Sequence, residues 1–261
     1  MKLTKELLAS VLAIAEQAGE KILTVYQRSD IGLVEKKDGS PLTEADMLAH
    51  HHIKDALAEL TPTIPVLSEE STESEIADRK NWSVFWLVDP LDGTKEFVNK
   101  TDEFTVNIAL IINHEAVLGA VVAPALGASY FAMQGFGAFK KNGGQTQTIK
   151  AQMPGKVTRV VASRRHGSDA LEKFLHQVGE HELVQAGSAL KICLVAEGVA
   201  DIYPRLGPTC EWDTAAGQAV ISEAQGKLYD SQGRDFRYNC RDTLLNGSFI
   251  VSHEALDCFP F

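Results

Sequence analysis

Residues 85–97 read Phe-Trp-Leu-Val-Asp-Pro-Leu-Asp-Gly-Thr-Lys-Glu-Phe. The first four are apolar and prone to form a β-strand, and Asp89 and Asp92 follow at its carboxyl end. Open α/β sheets place their chemistry at this end of a strand. Two aspartates on either side of a turn at Pro90 can direct their side chains into one pocket, together with the carbonyl of Leu91. Because hard divalent cations such as Mg²⁺ prefer oxygen ligands of this type, the stretch predicts a metal site.

Composition narrows the class of partner. The chain has 261 residues, of which 44% are hydrophobic, and this suits one large domain or two closely packed halves. Asp and Glu number 35 against 25 Lys and Arg, so the net charge is -10. Without a block of basic residues, this charge repels a nucleic acid polymer. A small phosphate substrate is compatible with it, provided that metal cations lie between the phosphate and the acidic side chains.

The cysteines and the amino-terminal segment indicate the compartment. The four cysteines are widely spaced and form no Cys-x-x-Cys pair, so no zinc knuckle or redox dithiol is predicted. Charged residues interrupt the apolar residues of segment 1–27, which excludes a signal-peptide core or a spanning helix there. We expect a cytoplasmic protein with reduced thiols and no transmembrane segment. Attachment to the membrane surface and the oligomeric state are left open.

Periodicity predicts the order of the elements. Apolar residues at helical spacing predict a long first helix, and a second helix is expected to begin near Thr43. Between residues 104 and 140, turn residues separate four alternating runs, which indicates an antiparallel meander. From about residue 155, strands and helices alternate. We therefore expect a mixed α/β (α+β) fold. The N-terminal half of the chain, residues 1–154, would contain most of the metal ligands, and residues 155–261 would form the C-terminal half.

Three further carboxylates are candidates to join the site. On spacing alone, a capping box with Thr43 is the commoner role for Asp46. Glu69 follows a short apolar run, although an acidic pair before a polar segment is commonly a solvated loop. Asp213 opens a helix of small residues, where it can cap the helix or share in anion binding at its N-terminus. Together with the two aspartates of the opening stretch, Glu69 and Asp213 would hold two cations that activate water and clamp a phosphoryl group.

Two segments resemble the signature motifs of the inositol monophosphatase superfamily. They are Asp89-Pro90-Leu91-Asp92-Gly93-Thr94-x-x-Phe97 and Trp212-Asp213-x-Ala215-Ala216-Gly217. Glu69-Glu70 lies at the expected place before them. The resemblance covers nearly the whole chain and implies a layered αβαβα sugar-phosphatase fold.

The resemblance also implies a role for each matched residue. The metal ligands that it implies are the side chains of Glu69, Asp89, Asp92 and Asp213 and the carbonyl of Leu91. It assigns the activation of the attacking water to Asp46 and Thr94, which overrides the capping interpretation of Asp46. Gly93 and Thr94 would receive the phosphate through their backbone N–H groups. Substrate contacts are expected from Glu69, Leu91, Asp92, Gly93, Thr94 and Asp213. About two or three Mg²⁺ ions per active site and inhibition by Li⁺ are also implied.

Segments between the two signatures are similar to the 3′(2′),5′-bisphosphate nucleotidase branch of this superfamily. They occupy residues 163–166, 187–191 and 203–208. The similarity assigns contacts with the nucleotide and its second phosphate to His166, Ser188, Lys191 and Arg205. Charge supports this assignment, because one phosphate of a bisphosphate lies outside the metal cluster and needs cations of its own.

The expected reaction is Mg²⁺-dependent hydrolysis of the 3′-phosphate of adenosine 3′,5′-bisphosphate to AMP and phosphate, with 3′-phosphoadenylyl sulfate as a second substrate. Such an enzyme would recycle by-products of sulfate assimilation. Two alternatives stay open: inositol monophosphate or fructose 1,6-bisphosphate as the preferred substrate, or a metal-dependent nucleotide-binding protein without turnover. The presence of both Asp46 and Thr94 disfavours the last alternative, because a binding protein needs no water-activating pair.

Overall fold

A computed structural model of the protein describes residues 2–35, 41–163 and 169–253. Within these ranges the helices are α1 Lys5–Tyr26, α2 Glu44–Leu60, α3 Thr94–Val98, α4 Asp169–Val178, α5 Leu190–Ala196 and α6 Glu211–Glu223. The strands of the first half are β1 Val34–Glu35, β2 Pro41–Leu42, β3 Val66–Ser68, β4 Val84–Asp92, β5 Thr105–Ile112, β6 Glu115–Ala123, β7 Ala128–Met133, β8 Gly137–Asn142 and β9 Gln145–Thr148. Those of the second half are β10 Thr158–Ala162, β11 His181–Gln185, β12 Ile202–Arg205, β13 Thr209–Cys210, β14 Lys227–Asp230, β15 Leu245–Asn246 and β16 Phe249–Ser252.

The larger sheet has seven strands in the order β3-β4-β5-β6-β7-β8-β9. Strands β4 to β9 pair antiparallel, which confirms the predicted meander, and β3 alone is parallel to its neighbour β4. Strand β9 was not predicted, because its residues are all polar and exposed and show no apolar alternation. Since β3 and β4 run in the same direction, their carboxyl ends meet at one edge of the sheet.

The smaller sheet has five strands in the order β11-β10-β12-β16-β14. Strand β10 is parallel to β11 and β12, whereas β16 is antiparallel to β12 and β14. Helices α1 and α2 cover one face of the larger sheet, α5 and α6 lie between the two sheets, and α4 packs on the outer face of the smaller sheet. The predicted αβαβα layering is confirmed.

The layers explain why β5 is apolar along its length. Ala109 and Ile111 belong to the core between the sheets, while Ile108 and Leu110 belong to the core under α1 and α2. A strand covered on both faces shows a continuous apolar run instead of alternation. Residues of both sheets share the core between them. The division of the chain into two halves near residue 154 stays a prediction.

Helix α6 lies unusually close to its neighbours. A Cβ atom added at Gly119 of β6 would lie 2.3 Å from the carbonyl oxygen of Ala216, and one added at Gly217 would lie 2.8 Å from Cδ1 of Ile192. Glycine therefore permits these approaches by lacking a side chain. Since Asp213 is in the first turn of α6, this packing sets its position relative to β4.

No helix in the described ranges has the length and apolar character needed to cross a membrane.

Candidate metal and phosphate site

An irregularity in β4 brings the first two aspartates together. Asp89 pairs with Asn107 of β5 and Asp92 pairs with Thr105, so β4 advances three residues where β5 advances two. The extra residue lies at Pro90, which has no N–H to donate to the ladder. The Leu91 N–H donates to Oδ1 of Asp89 at 3.0 Å and holds the turn.

Asp89, Asp92 and Asp213 form a compact carboxylate cluster. One ligand oxygen from each lies within 4.8 Å of the others. Asp89 is only 1% exposed. Burial raises the pKa of its carboxyl well above the ordinary value, and the charges of Glu69, Asp92 and Asp213 raise it further. The pKa of Asp213 is also raised, by burial first and then by Asp92.

The cluster fits a divalent cation. No Lys, Arg or His side chain in the described part of the chain lies within ion-pair distance of Asp89, Asp92 or Asp213. Buried carboxylates that repel one another and form no ion pair within the described residues are costly unless a metal ion is bound. An all-oxygen donor set of this kind suits Mg²⁺ better than a soft metal.

Glu69 adjoins the cluster. It directly follows β3, where Ser68 pairs with Val88, and its N–H donates to the Val88 carbonyl at 3.1 Å. Its negative charge contributes to the raised pKa of both Asp89 and Asp213. The parallel pairing of β3 with β4 thus places the acidic residue expected from the sequence beside the aspartates.

Asp46 makes the capping box and also reaches Thr94. Its Oδ2 accepts hydrogen bonds from the Thr43 N–H at 2.7 Å and the Thr43 hydroxyl at 2.5 Å. Its Oδ1 lies 3.4 Å from the Thr94 hydroxyl, which is also 3.3 Å from the Leu91 carbonyl. The two roles considered for Asp46 are therefore compatible. Activation of water by this pair stays a prediction.

Gly93 links β4 to α3 in a conformation that favours glycine. Its φ is +89°, and a Cβ atom there would lie 3.2 Å from Cβ of Ser188 and 3.3 Å from the Glu103 carbonyl oxygen. The first residue of α3 is Thr94. The turn thus lets the second half of the chain approach the end of β4 closely.

Helix α6 supplies the third aspartate. Asp213 is in its first turn, and Oδ2 of Asp213 accepts the N–H of the N-cap residue, Cys210, at 2.9 Å. The neighbouring Glu211 is fully buried, but its carboxylate accepts the Asn239 N–H at 2.7 Å and an N–H of Arg241 at 3.0 Å. The charge of Glu211 is thereby compensated by residues outside the carboxylate cluster.

A cavity of about 160 Å³ adjoins the cluster. Its lining includes residues of both halves, among them Asp92, Gly93, Ser188, Lys191, Arg205 and Asp213. The structure thus brings three of the four residues that the resemblance assigns to the nucleotide, Ser188, Lys191 and Arg205, to the carboxylate cluster. The fourth, His166, lies outside the described residues. A larger cavity of about 310 Å³, lined in part by Gln218 and Glu223, lacks the carboxylate cluster.

Lys191 is a buried cation that forms no ion pair with a carboxylate in the part of the chain that the structure describes. It is 5% exposed, and its ammonium group donates to the Ser188 carbonyl at 2.7 Å. Burial lowers its pKa to about 8; the charge of Asp92 opposes this shift and that of Arg205 adds to it. Arg205 donates to the carbonyls of Gly207 and Pro208. Two positive charges therefore lie in the cavity beside the acidic cluster.

Sequence reasoning missed the residues of β5 that support the site. Thr105 and Asn107 are buried beneath Asp92 and contact it. Their polarity in the otherwise apolar run 104–112 was the available signal. It could not be interpreted without the register of β4 against β5.

Comparisons with known proteins agree with this geometry. The Inositol monophosphatase family matches residues 4–258 of the chain. The chain is 46% identical over 248 residues to the 3′(2′),5′-bisphosphate nucleotidase CysQ of Escherichia coli K12, covering 94% of this chain and 99% of that protein. It is 38% identical over 254 residues to the protein of the same name from Haemophilus influenzae, covering 96% and 94%. The crystal structure of CysQ from Bacteroides thetaiotaomicron, a bacterial member of the inositol monophosphatase family, matches with a TM-score of 0.85 at 39% identity, covering 96% of this chain and 97% of that one.

Proposed function

Because this chain belongs to the inositol monophosphatase family, we propose that it is a metal-dependent phosphatase that removes the 3′-phosphate of adenosine 3′,5′-bisphosphate and releases AMP. The observation that carries the proposal is one cavity that is lined both by Asp92 and Asp213 of the acidic cluster and by the cations Lys191 and Arg205. The relatives named 3′(2′),5′-bisphosphate nucleotidase support the same substrate. A role in clearing by-products of sulfate assimilation in the cytoplasm follows from this substrate.

The acidic residues would hold the metal. We assign about two or three Mg²⁺ ions to the side chains of Glu69, Asp89, Asp92 and Asp213 and the carbonyl of Leu91. When bound, these ions supply Lewis acidity toward the phosphoryl group and make water a better nucleophile. The backbone N–H groups of Gly93 and Thr94, at the start of α3, bind the oxygens of the scissile phosphate.

Asp46 and Thr94 act on the attacking water. Oδ2 of Asp46 is engaged by Thr43, which fixes the carboxylate and leaves Oδ1 directed at Thr94. The Thr94 proton is donated to Oδ1 or to the Leu91 carbonyl, so the Thr94 oxygen keeps lone pairs that orient a water hydrogen. The Asp46 carboxylate accepts the proton as water attacks phosphorus. No covalent enzyme intermediate is needed.

Lys191 and Arg205 bind the second phosphate. Among the described residues Lys191 has no carboxylate partner, so an anion that enters the cavity supplies the missing negative charge. 3′-Phosphoadenylyl sulfate also has a 3′-phosphate and an anionic group on its 5′ side, which makes it the second proposed substrate. Inositol monophosphate has one phosphate only, which would bind to the metal ions of the acidic cluster and leave Lys191 and Arg205 without an anion. Inhibition by Li⁺ is expected through replacement of one Mg²⁺.

A comparison of substrates tests the proposal. Phosphate release is measured with adenosine 3′,5′-bisphosphate, inositol 1-phosphate and fructose 1,6-bisphosphate at equal Mg²⁺. We expect the highest kcat/KM with the nucleotide. A higher kcat/KM with either sugar phosphate would assign the protein to another branch of the family.

A further inference from the structure

One carboxylate oxygen of Asp92 is engaged by donors from both halves of the chain. Its Oδ2 accepts the Ala189 N–H at 2.6 Å, and the Asn107 amide and the Thr105 hydroxyl lie at 3.4 and 3.5 Å. Thr105 is 0% exposed and Asn107 is 1% exposed. Buried polar groups are costly unless they are paired, so the protons of these side chains can be assigned by counting donors and acceptors.

The counting gives the network a direction. A carboxylate only accepts, so the amide nitrogen of Asn107 is on the side of Asp92 and its oxygen is on the side of Thr105, 2.9 Å from Oγ1. The amide oxygen also only accepts, and Thr105 therefore donates its single hydroxyl proton to it. The Thr105 Oγ1 is also 2.6 Å from Oγ of Ser188. The proton in this second contact must come from Ser188.

We infer that Ser188, Thr105 and Asn107 form a directed hydrogen-bond chain that ends on Asp92. Ser188 donates to Thr105, Thr105 donates to Asn107, and Asn107 donates to Asp92. Ser188 has then given its only proton to the protein, and it offers lone pairs to the cavity that it lines. Its ligand in that cavity is a hydrogen-bond donor. A phosphate oxygen, which only accepts, is excluded as its partner.

The donor beside the scissile group is a hydroxyl of the substrate's sugar. This step rests on the proposed function, because the carbon next to the 3′-phosphate of a ribonucleotide has a 2′-hydroxyl. Ser188 is thereby a specificity-determining residue for ribose over deoxyribose. Thr105 is a positioning residue, since it does not line the cavity and acts by taking the Ser188 proton.

Packing keeps Ser188 in this orientation. Its φ is +52°, a left-handed conformation that is uncommon for residues other than glycine. A Cβ atom added at Gly187 would lie 2.8 Å from the Glu103 carbonyl oxygen, so the segment is pressed against the loop before β5. The Ser188 carbonyl is held by Lys191 at 2.7 Å. The segment therefore joins the metal ligand Asp92 to the cation assigned to the second phosphate.

The test compares adenosine 3′,5′-bisphosphate with its 2′-deoxy analogue. For the wild-type protein we expect a kcat/KM about tenfold higher with the ribonucleotide, the effect of one hydrogen bond. Ser188→Ala is expected to remove most of this preference, and so is Thr105→Val, which frees the Ser188 proton. Thr105→Ser keeps the chain and should keep the preference. The control is Ser129→Ala, which removes a buried strand hydroxyl that donates to Glu16 at 2.9 Å outside the site. Equal rates with both nucleotides in the wild type, or a full preference in Ser188→Ala, would overturn the inference.

A second measurement does not depend on the substrate. The unfolding free energy in urea is measured for Thr105→Val, Ser188→Ala and the double variant. If the chain exists, the double variant loses less stability than the sum of the two single losses. Additive losses would refute the chain whatever the substrate is. Release of phosphate from neither nucleotide would refute the proposed function and the sugar assignment, while the stability cycle still decides the hydrogen-bond chain.

Discussion

The hydroxyl oxygen of Thr94 lies 3.4 Å from Oδ1 of Asp46, although the two residues are 48 positions apart. They meet because the first turn of α2 and the first residue of α3 are both at the end of β4. The second oxygen of Asp46 is held by the backbone and side chain of Thr43. Thr43 thus fixes one oxygen of the carboxylate, and the other oxygen faces the Thr94 hydroxyl.

Asp46→Asn tests the water-activating pair. The amide keeps the shape of the side chain but cannot accept a proton, so kcat should fall about a hundredfold or more while nucleotide binding is retained. Thr94→Ala should act in the same direction. Steady-state kinetics and calorimetric binding measure the two effects. Thr4→Ala is the control for the loss of a helix N-terminal contact, since Thr4 caps α1 through Leu7; it should lower stability by about 1 kcal/mol without changing kcat. A kcat of Asp46→Asn close to the wild-type value would refute the assignment.

Mg²⁺ should stabilise the protein. The carboxylates of Asp89, Asp92 and Asp213 repel one another and form no ion pair among the described residues, and a bound ion relieves their repulsion. The Tm should rise by about 5 °C once Mg²⁺ exceeds its Kd a hundredfold. Asp213→Asn should show a smaller rise. Glu223→Gln changes an acid at the other end of α6, which binds the Gly135 and Gly137 N–H groups, and should keep the full rise. No change of Tm with Mg²⁺ in the wild type would contradict the metal site.

The pKa of Lys191, lowered to about 8 mainly by burial, predicts a pH dependence. Below that pH the ammonium group is charged and attracts the second phosphate, and above it the charge is lost. The kcat/KM for adenosine 3′,5′-bisphosphate should therefore fall as the pH rises through about 8. Adenosine 3′-monophosphate, which lacks the second phosphate, should show no such fall.

Variants separate this effect from other titrations. Lys191→Met should raise the KM for the bisphosphate about tenfold and abolish its fall at high pH. Lys140→Met is the control, because Lys140 is paired with Glu197 outside the cavity. A pH profile unchanged by Lys191→Met would show that another group causes the fall.

Gly119→Ala tests whether the packing of α6 positions Asp213. The added Cβ would lie 2.3 Å from the Ala216 carbonyl, so α6 must move away from β6. We expect a loss of about 1–3 kcal/mol in stability and a higher Mg²⁺ concentration for half-maximal activity. Gly155→Ala, where nothing lies within 4 Å of the new atom, should change neither. A stability loss with an unchanged Mg²⁺ requirement would show that α6 does not set the position of the ligand.

Local sequence signals predicted the elements that depend on local chemistry. The capping box at Thr43 and the apolar strand before Asp89 are such signals, and both are present in the structure. The meander followed from turn residues between alternating runs. Strand β9 escaped because an exposed polar edge strand has no apolar pattern.

Features that depend on pairing register could not be predicted. Thr105 reaches Asp92 because β4 has one extra residue relative to β5, and neither strand reveals this alone. The buried Glu211 is paired with Asn239 and Arg241, which are 28 and 30 positions later in the chain, so its neighbours in the sequence do not show how its charge is compensated. The joining of Ser188 to Thr105 across 83 positions is of the same kind.

Hydrolysis of adenosine 3′,5′-bisphosphate in ¹⁸O-labelled water is the most direct measurement of the proposed reaction. If the 3′-phosphate binds to the metal ions held by the acidic cluster and water attacks its phosphorus, the products are adenosine 5′-monophosphate without label and inorganic phosphate with one labelled oxygen. Mass spectrometry distinguishes these species. Adenosine 3′-monophosphate as the product, label in the nucleotide, or no phosphate release in the presence of Mg²⁺ would contradict the proposed function.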